Sequence, residues 1–300
     1  MGRTRYGTTF RTGQLQERSE TAIRQLADCR LCPRECGVDR LQGELGECRT
    51  GRLARVASLG PHFGEETPLV GTQGSGTVFF CGCNLNCSFC QNADISQGPG
   101  GREVDAHELA AIFLQVQEMG CANLNLVTPT HVLAQILEAL VLARPDGLTL
   151  PLIWNCGGYE SLQALSRLEG VVDIYMPDLK FIDPEPARRY CLAGDYPERV
   201  MTAIKEMHRQ VGDLAINDNG LAVRGLLVRH LIMPDGLAGS EKAIAFLADR
   251  VSPGTYLNIM NQYHPCHLAH GDPQIGRPPD PSLWIKARNL AAQTGLRLDT

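Results

Sequence analysis

Lysine is scarce in this chain: only four of its 28 basic residues are lysines, and the formal charge is -5. With no basic stripe, nucleic acid is not an expected partner. Long apolar runs are missing as well. No stretch reaches 18 apolar residues, and Met1-Gly-Arg-Thr-Arg5 leads into polar sequence instead of an apolar signal core. Neither a membrane span nor secretion is expected, and the chain reads as soluble and cytoplasmic. Gly71, Gly74 and Gly76 are not followed by Gly-Lys-Ser/Thr, so they read as a flexible connector and not as a phosphate loop.

What is present is cysteine, twelve residues of it, in a chain that is 43% hydrophobic. Without a signal core, cysteines in a chain of this length read as reduced metal ligands and not as disulfides. The apolar share is enough for one large core, and α/β barrels of about this size are commonly single domains. The first 55 residues hold eleven arginines against seven acidic residues. That excess reads first as a solvated face and second as a docking surface for an acidic partner.

The rest of the chain is organised around residues 77–96. Thr77-Val-Phe-Phe80 reads as a buried strand that runs into a loop with Cys83, Cys87 and Cys90 spaced C-x3-C-x2-C. Three thiolates held this close suit one compact soft-metal cluster. Three ligands leave one iron of a cubane without a protein thiolate, as expected of a site that binds something at the metal. The alternative is a zinc knot with Cys81 as fourth ligand, but a single residue between Cys81 and Cys83 would strain a tetrahedron.

This loop resembles that of the radical S-adenosylmethionine (SAM) superfamily, including the aromatic Phe89 before the last cysteine, where the superfamily has an aromatic near the adenine. More narrowly, Cys83-Asn-Leu-Asn-Cys-Ser-Phe-Cys-Gln-Asn92 resembles the PflX-like group related to pyruvate formate-lyase activase. The resemblance implies a 4Fe-4S cluster on Cys83, Cys87 and Cys90. It implies S-adenosyl-L-methionine chelated at the open iron, and reductive cleavage to methionine and a 5′-deoxyadenosyl radical. It also implies a glycyl radical protein as substrate and a flavodoxin or ferredoxin-type reductant.

A second cysteine group, Cys29-x2-Cys32-x3-Cys36 and then Cys48 after eleven residues, supplies four thiolates in a segment broken by Pro33, Gly37, Gly43 and Gly46. Four ligands make a closed site. Zinc, a second Fe-S cluster and unligated thiols all remain open readings. Cys29-Arg-Leu-Cys-Pro-Arg-Glu-Cys-Gly-Val-Asp-Arg40 also resembles the amino-terminal signature of PflX-like proteins. The organisation read from this is an N-terminal cysteine-rich metal-binding region at 1–70 and a barrel domain at 71–300.

From residue 77 the pattern alternates strands, at 77–80, 123–128, 150–154, 171–176, 222–232 and 255–260, with helices at 105–119, 131–143, 159–168, 197–210, 239–250 and 281–294. The strands are apolar runs without strict alternation, as in a parallel sheet buried on both faces. Arg52–Ser58 reads as a further strand and 61–68 as loop. Six β/α units predict a partial (β/α)6 TIM-type barrel with its chemistry at the carboxyl ends of the strands. The radical SAM resemblance implies the same fold.

Those strand ends carry the remaining candidates. Val127-Thr-Pro-Thr-His131 stands where activases carry a Gly-Gly-Glu type motif for the SAM amino group, and departs from it. Its threonines and carbonyls offer equivalent hydrogen bonds, or Thr130 simply caps the next helix. In Trp154-Asn-Cys-Gly-Gly-Tyr159 the paired glycines allow close backbone approach, while Cys156 reads as a small buried residue. Asp178 and Lys180 lie two apart and so on one face of a continuing strand. Their Asp-x-Lys resembles the activase motif, which implies contact of Asp178 with the SAM amino group or a nearby cation and of Lys180 with its carboxylate.

Arg229, similarly placed in Leu227-Val-Arg-His-Leu-Ile-Met-Pro234, is implied as a second carboxylate partner, and His230, on the opposite face, reads as packing or surface. His264 in Tyr263-His264 resembles the pair that closes the activase site, which implies contact with SAM or gating of the site; the other reading is a loop histidine in a structural role. The expected function is a radical SAM enzyme that activates a glycyl radical enzyme. The alternatives are hydrogen abstraction from another peptide or small metabolite, and a non-catalytic Fe-S carrier or sensor, which would have no need of a carboxylate-binding set.

Overall fold

The structure, a computed structural model, describes residues 4–299. Its strands are β1 (Ala54–His62), β2 (Ser75–Phe80), β3 (Arg102–Val104), β4 (Leu124–Val127), β5 (Leu152–Cys156), β6 (Ile174–Pro177), β7 (Ala215–Ile216), β8 (Ala222–Leu231), β9 (Tyr256–Met260) and β10 (Arg297–Leu298). The sheet runs β10-β9-β8-β6-β5-β4-β2-β1-β3, with β7 antiparallel on β8. The two-residue β10 adds in parallel at the β9 edge, and strands β2, β4, β5, β6, β8 and β9 are parallel neighbours. Helices Ala106–Glu118, Leu133–Ala143, Leu162–Leu168, Tyr196–Val211, Ser240–Arg250 and Pro281–Gln293 follow them in turn. The sheet does not close, and this is the partial (β/α)6 barrel that the alternation predicts.

Each strand has two different faces. Leu124, Leu126, Leu152, Trp154, Tyr175, Leu226, Val228, Leu257 and Ile259 join the large apolar core beneath the helices. The opposite face is mixed, as the period of two requires. Ile153, Ile174, Leu227 and Tyr256 form a small apolar cluster closed by Leu69, whereas Ser75, Asn125, Asn155, Arg229 and Asn258 on the same face carry polar groups that bond to one another or to the loop at residues 65–66.

Two regions differ from the sequence reading. Residues 61–68 are not all loop: β1 continues to His62, paired antiparallel with β2 from Val56↔Phe80 to His62↔Ser75, and Thr67–Val70 is helical. Strand β2 accordingly starts at Ser75. Helix Pro184–Cys191 lies outside the six helices that the alternation predicts, although its sequence carries a start signal in Asp183-Pro184 and buries Pro186, Ala187, Tyr190 and Cys191 at helical spacing.

The N-terminal residues pack onto the barrel. Tyr6, Leu15, Ala22, Leu26 and Leu31 belong to the same core as the barrel helices. The Tyr6 hydroxyl donates to the Leu150 carbonyl at 2.9 Å, and the Arg5 amide donates to Asp173 at 3.0 Å.

Candidate active site

The loop after β2 is pinned at many points. The Asn84 side chain donates to the Tyr159 carbonyl at 2.6 Å, and Gln97 Nε2 donates to the Cys87 carbonyl at 3.1 Å. The Ser88 amide reaches the Tyr190 carbonyl at 2.8 Å. These bonds leave Cys83, Cys87 and Cys90 at the carboxyl end of the first parallel strand, Cys87 buried and the others half-buried. Burial pushes the Cys83 thiol up to about 12, with Cys87 and Cys90 adding to the shift. Cys87 is pushed up first by its hydrogen bond with Cys191, whose sulfur lies 3.3 Å away, and then by burial. The Cys90 thiol, 3.2 Å from the Ser96 hydroxyl, is raised by burial as well.

The Lys180 ammonium sits close enough to pull against the upward shift of all three thiols. Its Nζ donates to Asp178 Oδ2 at 2.6 Å, and Arg229 Nε donates to Asp178 Oδ1 at 2.9 Å. Asp178 thus bridges two cations. Burial alone would raise its carboxyl, yet Arg229 and Lys180 outweigh that and hold it below the usual range. Burial likewise opposes the charge on Lys180, and Asp178 and Cys87 overcome it, so the ammonium persists far above its ordinary value. Strand β6 ends at Pro177, and Asp178 continues it only as a bridge to Arg229.

Arg229 is already occupied by its own chain. Nη2 donates to Asn155 Oδ1 at 2.8 Å, and Nη1 lies 3.6 Å from Glu65 Oε2. Glu65 also accepts from Asn125, and the neighbouring Glu66 accepts from Asn258 at 2.9 Å. Neither glutamate stands out in the sequence, because both lie in a stretch that reads as loop; their only signal is a pair of acids facing a strand arginine.

Phe89 packs edge-on against Phe181, with centroids 5.8 Å apart, and tilted against Tyr263 at 6.3 Å. Tyr263 thereby joins the site, while His264 is exposed and shares a hydrogen bond with the Gln262 carbonyl. Gly157 faces the loop: a Cβ there would stand 3.0 Å from Leu85 Cδ1 and 3.7 Å from Lys180 Cε. Thr130 does not cap the next helix; it donates to the buried carboxylate of Glu160 at 2.5 Å. Burial pushes Glu160 up to about 7. His230 is buried, with Nδ1 donating to the Leu179 carbonyl and Nε2 bonded to Ser240, in keeping with a packing role.

A family model described as the radical SAM superfamily matches residues 77–230, which is just over half of the chain and runs from β2 into β8. The chain belongs to the radical SAM superfamily. This radical SAM protein is 31% identical to uncharacterized protein MJ0674 of Methanocaldococcus jannaschii over 93% of its own length and 78% of the relative's. It is 27% identical to the pyruvate formate-lyase-activating enzyme of Clostridium pasteurianum, over 66% of this chain and 75% of that one. A solved radical SAM methyltransferase from Sphaerobacter thermophilus aligns with 74% of this chain at a TM-score of 0.49 and 16% identity. The present chain spans 65% of that structure's length.

Membership makes the protein an enzyme of radical chemistry that takes a 4Fe-4S cluster and S-adenosylmethionine. Three free thiols on one pinned loop, with an ammonium beside them, are a donor set that fits such a cluster. Among the described residues, no three His, Cys, Asp or Glu side chains stand ready to hold a single ion. Cluster thiolates bind different irons and need not converge on one point.

The other cysteine group of this radical SAM enzyme is also brought together. Cys29, Cys32, Cys36 and Cys48 line one small pocket, together with Arg34, Arg40 and His131. His131 is buried, and its Nε2 donates to the Cys81 carbonyl at 2.8 Å. Burial pulls its imidazole down to about 4, so it is neutral. Cys191, 104 residues from Cys87, is a neighbour of the loop carrying Cys87 that no spacing in the sequence announces. Cys156 is buried at the foot of the glycine turn. Among the described residues no helix is long and apolar enough to cross a membrane.

Proposed function

We propose that Cys83, Cys87 and Cys90 ligate the 4Fe-4S cluster, that Lys180 and its partners bind S-adenosylmethionine, and that the enzyme removes a hydrogen atom from a glycine Cα of a glycyl radical protein. When bound, the cluster and S-adenosylmethionine supply the electron and the carbon radical for that abstraction. The observation that carries the reading is the Asp178–Lys180–Arg229 array set against the thiol loop. An electron carrier has no use for such an array.

Lysine has three N–H donors, and Lys180 spends one on Asp178, so the others remain for a carboxylate. Asp178 keeps Lys180 charged and aimed, and Arg229, anchored by Asn155 and Glu65, keeps Asp178 in place. Phe89, with Phe181 and Tyr263 behind it, offers an apolar face for an adenine. The bare Cα of Gly157 leaves room beside Leu85 and Lys180 for the ligand chain. Similarity to activating enzymes supports the glycyl substrate and a flavodoxin or ferredoxin-type reductant.

The test is anaerobic. Cluster-loaded protein given dithionite and S-adenosylmethionine should release 5′-deoxyadenosine and methionine in equal amounts, and none without reductant. Adding a candidate glycyl radical protein should then give a protein-borne radical signal by electron paramagnetic resonance. No cleavage by a protein shown to hold a reducible cluster, with or without the partner, would overturn the reading.

A further inference from the structure

Arg40 is 1% exposed, and among the described residues no carboxylate pairs with it. Its Nε and Nη2 donate to the Gly51 carbonyl at 2.9 and 2.8 Å, and its Nη1 to the His131 carbonyl at 2.9 Å. The same Nη1 lies 3.7 Å from Cys29 Sγ. Carbonyls satisfy its hydrogen bonds but supply no counter-charge, and an unpaired buried cation is strongly disfavoured. The groups around it that can become anionic are the thiols of Cys29, Cys32, Cys36 and Cys48, which share its pocket.

One backbone donor already faces these sulfurs: the Glu47 amide donates to Cys36 Sγ at 3.4 Å. Burial raises the Cys32 and Cys48 thiols, so the anionic form of the group needs a metal to hold it. The Cys29 amide donates to the Val38 carbonyl and the Gly37 amide to the Cys29 carbonyl, both at 3.0 Å, which folds the first and third cysteines toward each other.

We propose that Cys29, Cys32, Cys36 and Cys48 hold a second metal centre, closed by four thiolates, that supplies the counter-charge for Arg40 and clamps the loop carrying Cys83. Each thiol gives up its proton as the metal binds. Four thiolates around Zn²⁺ or around an oxidised 4Fe-4S core leave a net double negative charge, so either centre meets the electrostatic need; the four thiols do not already converge on one point, so a single zinc ion would have to draw them together, whereas a cluster would not.

The clamp is visible in the contacts between the two cysteine loops. Arg34, between Cys32 and Cys36, donates to the Asn84 carbonyl at 2.8 Å and the Leu192 carbonyl at 2.7 Å. Gly82, at φ +83°, lies so close to the Cys48 carbonyl that a Cβ would collide with it. His131, whose carbonyl holds Arg40, holds the Cys81 carbonyl with its ring.

The decisive experiment counts metal. A variant carrying Cys83→Ala, Cys87→Ala and Cys90→Ala together loses the other ligand set, so any centre it retains after anaerobic reconstitution belongs to the quartet. About one zinc per chain without sulfide identifies a zinc centre, and about four irons with equal sulfide a cluster. A folded variant with neither overturns the proposal.

Native mass spectrometry of the wild-type protein keeps the test decisive if that variant fails to fold: two centres per chain are expected, and one would overturn the idea. Arg40→Met should speed metal loss from the quartet to a chelator by about tenfold or more. An unchanged rate would remove Arg40 as the counter-charge. None of these outcomes depends on whether the protein cleaves S-adenosylmethionine.

Discussion

Asp178 and Lys180 form one ion pair, yet removing them should have unequal consequences. Asp178 is 17% exposed and holds two cations, Lys180 at 2.6 Å and Arg229 at 2.9 Å, which are 21% and 18% exposed. Asp178→Ala leaves both buried cations side by side, with Glu66 and Glu65, the latter 3.6 Å from Arg229, as the remaining compensation. Breaking a buried pair costs about 3–5 kcal/mol, and discounting for the partial exposure here gives about 2–4 kcal/mol. Lys180→Met leaves Asp178 still paired with Arg229 and should cost about 1 kcal/mol.

Ligand binding should be hit even where stability is spared. A charge-assisted bond is worth about 1.5–3 kcal/mol, so Lys180→Met should raise the S-adenosylmethionine Kd about 10- to 150-fold. Urea unfolding of the metal-free chains and anaerobic calorimetric titration of the loaded ones measure the two effects separately. Equal destabilisation by both substitutions would refute the bridging role of Asp178, and an unchanged Kd in Lys180→Met would remove Lys180 from the ligand site.

Cys87→Ala should abolish S-adenosylmethionine cleavage while Cys48→Ala retains part of it, as read by chromatography of 5′-deoxyadenosine; full activity in Cys87→Ala would break the cluster assignment. Glu160 is held at about 7 against an ordinary value of 4.5, so between these pH values the unfolded chain has lost a proton that the folded chain keeps. Stability should therefore fall as pH rises from about 4.5 to about 7, by about 3 kcal/mol in all, and level off above. Glu160→Gln should flatten that part of the profile, and parallel urea midpoints for the two proteins across pH 5–8 would contradict the assignment. Gly158 sits at φ +78°, and a Cβ would be 2.5 Å from the Asp178 carbonyl oxygen. Gly158→Ala should cost more than the roughly 1–2 kcal/mol of backbone strain alone and should weaken ligand binding by displacing Asp178; a wild-type melting temperature and Kd would show that the turn tolerates it.

Some of this molecule is decided by short segments of chain. Cys83, Cys87 and Cys90 lie within eight residues, so any turn that follows β2 keeps them together, and the spacing alone announces a metal site. The six parallel strands are legible because each is an apolar run followed by a helical period, and Asp178 and Lys180 stand out as charges at the end of such a run. Arg34, between Cys32 and Cys36, reaches the loop carrying Cys83 only after folding, yet the grouping of the cysteines around it is local and legible from spacing.

The rest depends on which strands become neighbours and which face of each turns inward. The strands read as uniformly apolar because the helices cover one face; the polar residues of the other, Asn125, Asn155, Arg229 and Asn258, are single letters at alternate positions until the sheet curves and aims them at one another. Glu65 and Glu66 meet Arg229 and Asn258 across as many as 192 residues, and Cys191 meets Cys87 across 104. No local period encodes a contact at that separation. Arg40 looks like one more arginine in a basic segment, and its buried, unpaired state arises only when the packed barrel closes over it and leaves the four thiols as its neighbours.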